Sequence, residues 1–203
     1  MAVELRAPLD VPETAPSLAG ERVLLRAPRA SDIDDRLPYP IDLEEEDWYG
    51  AAWRRKWNGQ PFHTREHLAA QLAAPLPAGQ VRWCVEHDAH AVGACGLTVD
   101  AGNHRAWYSI GIFVRALRGQ GLGREITRLV VRWGVETLRL HRIELEVRSD
   151  NVRAIRCYEA VGFRREGVRR EAELYPDGWK DFVYMGLLAS EWAGAQSTRQ
   201  ATS

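Results

Sequence analysis

Three things are scarce in this sequence: cysteine, net charge and long apolar runs. Three cysteines occur in 203 residues, without the spacing of a metal site or a disulfide framework, so we expect reduced core thiols. A formal net charge of −1 provides no general attraction for nucleic acid. No run approaches the roughly 20 apolar residues of a membrane helix, and the first residues lack the apolar core of a secretory signal. We therefore expect a cytoplasmic protein that binds neither nucleic acid nor a membrane.

The length and pattern of the chain predict one domain with loose ends. A single hydrophobic core stops growing only at about 250 residues, so this chain suits one domain. Residues 1–20 and 193–203 contain few large apolar side chains and are predicted to be a flexible arm and a flexible tail. The domain is predicted over 21–192. It begins with a short strand and two short helices, followed by a pair of strands over 81–86 and 91–99.

The second half of the chain alternates between strand and helix patterns. A nearly continuous apolar run over 107–114 predicts a strand that is buried on both faces. Apolar residues at helical spacing predict an amphipathic helix over 122–138, and alternation predicts a strand over 143–147. A second helix is predicted over 151–161, before a hairpin turn at 175–178. This order indicates a mixed sheet with helices packed on it.

A glycine-rich turn connects the apolar strand to the long helix. Alternate positions in it lack side chains: Gly119, Gly121 and Gly123. The backbone there can therefore curl and present its N–H groups. The first N–H groups of the helix, from Leu122 onward, have no intrahelical partner, and with the helix dipole they form a site for a diphosphate. Arg118 and Arg124 add positive charge on either side.

The residues around the glycine turn distinguish it from two other phosphate-binding turns. A P-loop is excluded because no Lys-Ser or Lys-Thr follows the glycines. The dinucleotide fingerprint fails at its third glycine, where Arg124 stands, although Glu144 and Glu146 lie near the position of its ribose-binding acid. A nucleotide site therefore ranks second among the phosphate interpretations. A tight strand-to-helix connection without any ligand is the structural alternative.

The resemblance to a known family rests on two motifs in order. The pattern Arg118-x-x-Gly121-x-Gly123 resembles the pyrophosphate motif of the GNAT acetyltransferase superfamily. The segment 151–163 is similar to the next motif of that superfamily. Further positions resemble the RimJ/RimL branch of ribosomal-protein N-terminal acetyltransferases: Glu166-Gly167, Arg170 and Gly178-x-x-Asp181. One departure is visible, since Arg115 and Ala116 stand where many relatives carry a proline.

The resemblance implies both a fold and an activity. The implied fold is α+β: a mixed, mostly antiparallel central sheet with helices on both faces and splayed strands at the cofactor site. The implied activity is transfer of an acetyl group from acetyl-CoA, without a metal, to a primary amine. A protein N-terminal α-amine is the first expected acceptor. A polyamine or an aminoglycoside acceptor, and a non-catalytic CoA-binding sensor, are the alternatives.

The resemblance also implies roles for particular residues. The backbone of Ile112, Phe113 and Val114 would hydrogen-bond the pantetheine arm, although an ordinary sheet ladder is the alternative. Asn151 would bridge the helix start and that arm, or simply cap the helix. The remaining implied cofactor contacts are Tyr158 and the residues of the turn itself: Arg118, Gly119, Gln120, Gly121, Leu122, Gly123 and Arg124.

Tyr158 and Glu166 are the implied catalytic residues. A phenol, whose pKa is about 10, stays protonated at neutral pH and can donate a proton to a departing thiolate. Tyr158 would be this general acid, although its helical spacing from Ile155 also suits a core tyrosine. Glu166 would be the general base that deprotonates the amine through water. Glu144 and Glu146 are rival bases, and an exposed charge is the alternative role for all three.

Several remaining features have structural explanations beside functional ones. The aromatic segment 48–57 lies where the family builds its acceptor groove, but it also suits packing on the sheet. The acidic run 44–47 could attract a cationic amine or form a solvated helix start. His63 and His67 have the spacing of a metal pair without a third ligand, so a solvated face is expected. The apolar strand 182–188 suggests a homodimer.

Overall fold

The computed structural model describes residues 7–36, 64–175 and 177–192. Eight strands run through these ranges: β1 (Leu18–Ala19), β2 (Leu24–Arg26), β3 (Gln80–His87), β4 (His90–Asp100), β5 (Arg105–Ile112), β6 (Arg142–Arg148), β7 (Arg164–Tyr175) and β8 (Gly178–Leu188). The α-helices between them are α1 (Asp32–Arg36), α2 (Arg65–Ala73), α3 (Leu122–Arg132) and α4 (Val152–Val161). A 3₁₀ turn at Arg115–Leu117 precedes α3, and a π-helical turn at Trp133–Thr137 extends it.

All eight strands form one sheet with the order β1-β2-β3-β4-β5-β6-β8-β7. Every neighbouring pair is antiparallel except β5 and β6, which run parallel. Parallel neighbours need a crossover connection, and α3 provides it. The predicted mixed, mostly antiparallel sheet is therefore confirmed.

The parallel pair β5–β6 is short. Its register covers Arg105, Ala106 and Trp107 of β5, which pair with the first three residues of β6. Beyond Trp107, β5 stays with β4 as far as Ile112, while β6 stays with β8 along its whole length. The two strands therefore diverge toward their carboxyl ends, as the predicted splay requires.

Side-chain alternation gives the sheet two distinct faces at this gap. The first face packs on α3: Tyr108 of β5 meets Thr127 through a hydrogen bond of 3.1 Å between the hydroxyls, and Ile143 of β6 contacts the position of Gly134. The second face carries Trp107, which packs edge-on against Tyr184 at a centroid distance of 5.4 Å. We refer to these as the helix face and the second face.

The predicted burial of the apolar strand on both faces is wrong. In β5, Ala106 and Tyr108 are 1% and 2% exposed, whereas Arg105 and Ser109 are exposed. The next three residues, 110–112, are half-buried. Apolar residues point to both faces of the sheet here because the end of β5 borders a gap. No second layer of structure in the described ranges needs to cover the strand.

The predicted flexible arm over 1–20 needs a correction for its described part. Ala15 belongs to the buried core, and β1 pairs with β2. The indole N–H of Trp83 donates to the carbonyl of Pro16 at 2.7 Å. Proline is compatible with such an extended segment, so composition alone could not distinguish it from a loose one. Residues 1–6 and the predicted tail 193–203 lie outside the described ranges.

The cysteines are unpaired thiols, as expected. Cys84 and Cys95 are buried in the sheet, whereas Cys157 on α4 is half-buried. Burial raises the pKa of the Cys84 thiol to about 12. None of the helices in the described ranges combines the length and the apolar character that a membrane crossing requires.

Candidate active site

A cavity of about 700 Å³ fills the gap between β5 and β6. Its walls include Val147 from the helix face and Glu146 and Phe182 from the second face. Neighbouring residues of a strand point to opposite faces, so a cavity that borders both Glu146 and Val147 adjoins both faces of the sheet. The gap therefore borders both the α3 side of the molecule and the second face.

The edge of β5 presents main-chain groups to this cavity. The N–H of Phe113 donates to the carbonyl of Val92 in β4 at 2.8 Å. Because successive residues of a strand direct their N–H and C=O groups to opposite sides, those of Ile110 and Ile112 point away from β4 and toward the gap. Arg118 occupies the carbonyl of Ile112 with two hydrogen bonds, from Nε at 2.9 Å and from Nη2 at 2.8 Å. The N–H of Ile112 and both groups of Ile110 remain directed toward the cavity.

Only one of the three backbone positions expected to hold the pantetheine arm lines the cavity. Ile112 does so, but Phe113 and Val114 do not. Phe113 uses its N–H in the ladder with β4, and the carbonyl of Val114 accepts from Leu117 at 3.1 Å. The strand ends two residues earlier than the sequence predicts, so the ladder and the 3₁₀ turn take these groups.

The glycine turn has the conformation that only glycine adopts easily. Gly119 has φ 79° and Gly121, at the N-cap of α3, has φ 88°. The carbonyl of Gly121 accepts from Arg124 and Glu125 at 3.1 and 3.2 Å. The N–H groups of Leu122 and Gly123 come before these first helical bonds, so the helix leaves them without a partner. Leu122 does not line the cavity, since its side chain is 1% exposed in the core.

The cavity wall is strongly cationic. Glu146 is the one carboxylate among its described lining residues, against five arginines: Arg118, Arg124, Arg148, Arg153 and Arg156. Arg148 pairs with Asp150, but in the described ranges no carboxylate pairs with Arg124, Arg153 or Arg156. Such unpaired cations next to the start of a helix suit a ligand that carries several phosphate charges.

Helix α4 contributes the opposite wall through Asn151, Cys157 and Tyr158. The side chain of Asn151 accepts from the N–H of Ala154 at 3.1 Å, so it caps the helix while it lines the cavity. The ring of Tyr158 is half-buried between two edge-on neighbours, Tyr108 at 6.5 Å and Phe163 at 6.0 Å. These contacts fix the orientation of the ring toward the cavity.

The structure does not bring Glu166 to the cavity. It occupies a bulge in β7, and both of its carboxylate oxygens accept from Arg142, one of them at 2.8 Å. These hydrogen bonds hold the pKa of the Glu166 carboxyl below its usual value. Arg142 also donates to Glu144 at 2.7 Å, and Glu144 does not line the cavity either. Of the three carboxylates considered as bases, Glu146 is the one at the cavity, where it pairs with Arg169.

Several cavity residues were missed by sequence reasoning. On α4 these include Arg153 and Arg156, whose three-residue spacing places them on one side of the helix and could have signalled a shared ligand. On the strands they include Ile110, Gly111 and Phe182. These three could not be recognised, because their proximity depends on the register and on the point where β5 and β6 part.

Other sequence features either fall outside the described residues or are exposed arginines. The acidic run 44–47, the aromatic segment 48–57 and His63 lie outside the described residues, and the side chain of His67 does as well. The exposed arginines of β7 form ion pairs: Arg164 with Glu191, Arg165 with Glu159 and Arg169 with Glu146. In the described ranges no three His, Cys, Asp or Glu side chains are grouped as a metal site.

Together these features define a class of protein. A mostly antiparallel sheet whose single parallel pair opens beside the start of a helix, with a cationic cavity in the opening, is the arrangement of an acyltransferase that takes a phosphate-bearing acyl donor. The chain matches the family model described as the acetyltransferase (GNAT) domain over residues 22–164. It belongs to the GNAT family and is an N-acetyltransferase that depends on acetyl-CoA.

Relatives and solved structures agree with this assignment. An uncharacterized N-acetyltransferase, p20 of Bacillus licheniformis, is 30% identical over 187 residues, which cover 88% of this chain and 99% of that protein. RimJ of Mycobacterium smegmatis, solved in complex with CoA-disulfide, has a TM-score of 0.74 at 19% identity, covering 87% of this chain and 88% of that one. The spermidine N-acetyltransferase of Vibrio cholerae, solved with CoA and spermine, has a TM-score of 0.70 at 21% identity, covering 85% of this chain and 98% of that one. At these identities the two solved structures support the fold alone.

Proposed function

We propose that this enzyme acetylates the α-amine of a protein N-terminus, by direct transfer with Tyr158 as the general acid. The observation that carries the proposal is that one cavity adjoins both faces of the sheet. Tyr158 and the glycine turn border it, and so does Glu146 from the second face. A donor held on the helix face and an amine that arrives from the second face would meet in the gap. The resemblance of the segment after Phe163 to the RimJ/RimL branch supports the choice of acceptor.

The donor end of the cavity fits coenzyme A by its chemistry. The unpaired N–H groups at the start of α3 suit a diphosphate, and Arg124, Arg153 and Arg156 offer further positive charge. The N–H and C=O groups of Ile110 and the N–H of Ile112 suit the amides of a pantetheine arm. Bound in this way, acetyl-CoA supplies the acetyl thioester. In this proposal Asn151 lies beside the arm while it caps α4.

Tyr158 is proposed to protonate the sulfur that leaves. Its ring is held by Tyr108 and Phe163, so little reorientation is needed when the donor binds. General acid catalysis of this kind contributes about 10²–10⁴ to a rate. The N–H of Ile112 is proposed to polarise the carbonyl of the thioester from the β5 edge.

We assign proton acceptance from the amine to Glu146 and not to Glu166. Glu146 borders the cavity, whereas Glu166 is engaged at both oxygens by Arg142. A base must reach the proton directly or through one water, and Glu166 does not line the cavity. Arg169, the ion-pair partner of Glu146, is exposed and can adjust as the amine arrives.

The charge on the second face favours a single amine over a polyamine. Glu144, Glu146 and Glu166 each pair with an arginine, so little unpaired negative charge remains among them. A polycation is bound well where several carboxylates lack such partners. A single α-amine requires only one carboxylate, Glu146, whose partner Arg169 is exposed and can move aside.

The acceptor is tested by a thiol-release assay on matched substrates. A peptide with a free N-terminus is compared with the same peptide blocked at its N-terminus but carrying an internal lysine, with spermidine, and with an aminoglycoside. We expect acetylation of the free α-amine alone, verified by the mass and position of the added acetyl group. Turnover of spermidine or of the aminoglycoside, with the free peptide untouched, would overturn the assigned acceptor.

The catalytic roles are tested by paired substitutions. Tyr158→Phe should lower kcat by about 100-fold while the Kd of CoA stays unchanged. Tyr108→Phe is the matched control, because it removes a buried hydroxyl that bonds Thr127 and keeps the ring that contacts Tyr158. Glu146→Gln should lower kcat/KM for the amine and flatten its dependence on pH, whereas Glu166→Gln should do neither. Equal losses in the two glutamine variants would reject the assignment of Glu146.

A further inference from the structure

We infer that Arg22 and Glu125 form a clamp that orients a peptide group of the glycine turn, and thereby sets the affinity for the diphosphate of the donor. This inference rests on the proposed binding of CoA at the start of α3. Arg22 lies just before β2, far from this turn in the chain, and is not part of the cavity wall. It is therefore a positioning residue and not a ligand of the donor.

The clamp consists of four hydrogen bonds. The guanidinium of Arg22 donates to the carbonyl of Gln120 at 2.9 Å and to Oε2 of Glu125 at 3.2 Å. The backbone N–H of Arg22 donates to Oε1 of Glu125 at 2.8 Å, and that of Val23 donates to the same oxygen at 3.4 Å. One arginine therefore ties the β1–β2 connection both to the turn and to the first residues of α3.

The geometry of the peptide bond transmits this contact to the cavity. In a planar trans peptide the carbonyl and the following N–H point in opposite directions. When Arg22 holds the carbonyl of Gln120, the N–H of Gly121 must point away from Arg22. Gly121 lines the cavity and Arg22 does not, so this N–H is directed to the cavity side. The next peptide is held independently, because the carbonyl of Gly121 accepts from the N–H groups of Arg124 and Glu125.

The side chain of Gln120 ties the turn to the carbonyl of Ala116 at 2.6 Å, but the peptide between Gln120 and Gly121 is held by Arg22. Gly119 and Gly121 both have positive φ and can exchange between several conformations at little cost. A side chain at Gly119 would meet no atom within 4 Å, and Gly119 and Gln120 are exposed. An orientation that is set before binding spares the ligand the entropy of ordering the loop.

Glu125 is the anchor of the clamp, and its surroundings are shaped for it. Burial would raise the pKa of this carboxyl, but hydrogen bonds from the backbone N–H and the guanidinium of Arg22 outweigh that effect and lower it. Glu125 therefore stays charged at neutral pH. A Cβ at position 20 would overlap Oε1 of Glu125, so the glycine there makes room for the carboxylate.

The test compares two acetyl donors that differ in the diphosphate. Acetyl-CoA carries it together with the attached 3′-phosphoadenosine, S-acetylpantetheine carries neither, and both donate the same thioester. In Arg22→Gln we expect the Kd of CoA, measured by calorimetry, to rise about tenfold, as the loss of one charge-assisted hydrogen bond implies. The KM of acetyl-CoA should rise similarly with kcat nearly unchanged. The kcat/KM of S-acetylpantetheine should stay as in the wild type.

Three further variants make the outcome decisive. Glu125→Gln should reproduce the effect, and the double variant should lose no more than either single one, because the two residues act as a unit. Arg22→Lys keeps the charge but not the forked geometry, so it should fail to restore binding. Arg165→Gln removes an exposed arginine–glutamate pair elsewhere and serves as the control.

Each contrary result has its own meaning. Full rescue by lysine, equal losses with the two donors, or unchanged CoA binding in Arg22→Gln would overturn the clamp alone. Wild-type protein that binds no CoA would overturn the proposed donor site and the clamp together. Thermal melting of each variant separates a loss of fold, which would weaken both donors, from a loss of turn orientation.

Discussion

The two halves of the β5–β6 pair are opposites. In the first half, which we call the closed half, three residues of each strand pair in parallel and charged side chains bridge the strands. In the second half, the open half, no register joins the strands in the described structure, and a cavity lies between them. The same two strands thus provide first a rigid seam and then a binding site.

Two glutamates on one face of β6 show what the difference teaches. Glu144 in the closed half is 7% exposed and accepts from Arg142 at 2.7 Å and from Arg105 at 3.5 Å. Glu146, two residues further, borders the cavity and pairs with the exposed Arg169. Two glutamates on the same face therefore differ in their surroundings, because β5 pairs with β6 beside Glu144 and has left it beside Glu146.

Removing Glu144 should break the closed half and have the largest effect. Glu144→Ala removes a carboxylate that is 7% exposed and accepts from both Arg142 and Arg105. Arg142 keeps Glu166 and Arg105 keeps Asp100, so the cost is that of the lost charge-assisted hydrogen bonds, and we expect a loss of about 2 kcal/mol in unfolding free energy. Urea denaturation measures it. The control in the open half is Glu146→Ala, which should cost less than about 1 kcal/mol because its partner is exposed. Similar losses in both variants would show that the two halves do not differ in this way.

A smaller effect is expected from Gly186, which lies opposite Glu144 in β8. A Cβ there would lie 2.5 Å from Oε1 of Glu166 and 2.7 Å from Nη2 of Arg142, so Gly186→Ala should displace this ion pair. We expect a loss of about 1–2 kcal/mol in denaturant unfolding. Gly167→Ala in the adjacent strand meets no atom within 4 Å and should be close to neutral. A neutral Gly186→Ala would mean that the pair relocates without cost.

Substitutions of the two glycines beside the open half should have opposite effects on stability, because the glycines differ in backbone conformation. Gly121 has φ 88°, so Gly121→Ala should cost about 1 kcal/mol in stability and weaken CoA binding. Gly123 is helical, and a Cβ there makes ordinary contact with Cys157 at 3.6 Å, so Gly123→Ala should gain about 0.5 kcal/mol. Thermal melting with and without CoA measures both. A stabilised Gly121→Ala would contradict the left-handed turn.

The smallest expected effect concerns pH and the edge of the closed half. Hydrogen bonds from Arg142 lower the pKa of Glu166, so its stabilising contribution is present above the usual carboxyl pKa and is lost as the pH falls through the lowered one. Because the side chain is 38% exposed, we expect less than about 0.5 kcal/mol. Unfolding free energies at about pH 6 and pH 3 should therefore converge slightly in Glu166→Gln relative to the wild type. A larger acid dependence in the variant would contradict the direction of the shift.

Local patterns predicted the elements around the cavity well. Signals that act over a few residues predicted three features: the start of the helix at Leu122, the helix cap at Asn151 and the hairpin turn at 175–178. These signals are glycine, asparagine and the spacing of apolar residues. The order of the elements predicted a mixed sheet, whereas its mostly antiparallel arrangement and the splay came from the resemblance of two motifs, which links segments that no local pattern connects.

What could not be predicted depends on register between distant strands. Glu166 matched a family position, but a bulge and Arg142 on another strand decide where its carboxylate goes. The burial of β5 was overestimated, because an apolar residue beside a cavity and one beneath a helix look alike in sequence. The described part of the predicted arm is fixed by contacts such as that of Trp83 with Pro16, nearly seventy positions apart.

The position of one native thiol allows ligand binding in the gap to be measured without an engineered cysteine. Cys157 lies on the cavity wall, whereas Cys84 and Cys95 are buried and have raised thiol pKa values. Burial also raises the pKa of Cys157, but the charge of Arg124 opposes that rise and the side chain is only partly covered. Alkylation by a small electrophile should therefore begin at this one position and slow in proportion to the fraction of molecules whose gap is filled. The alkylation rate of Cys157 therefore reports donor binding in every variant described above.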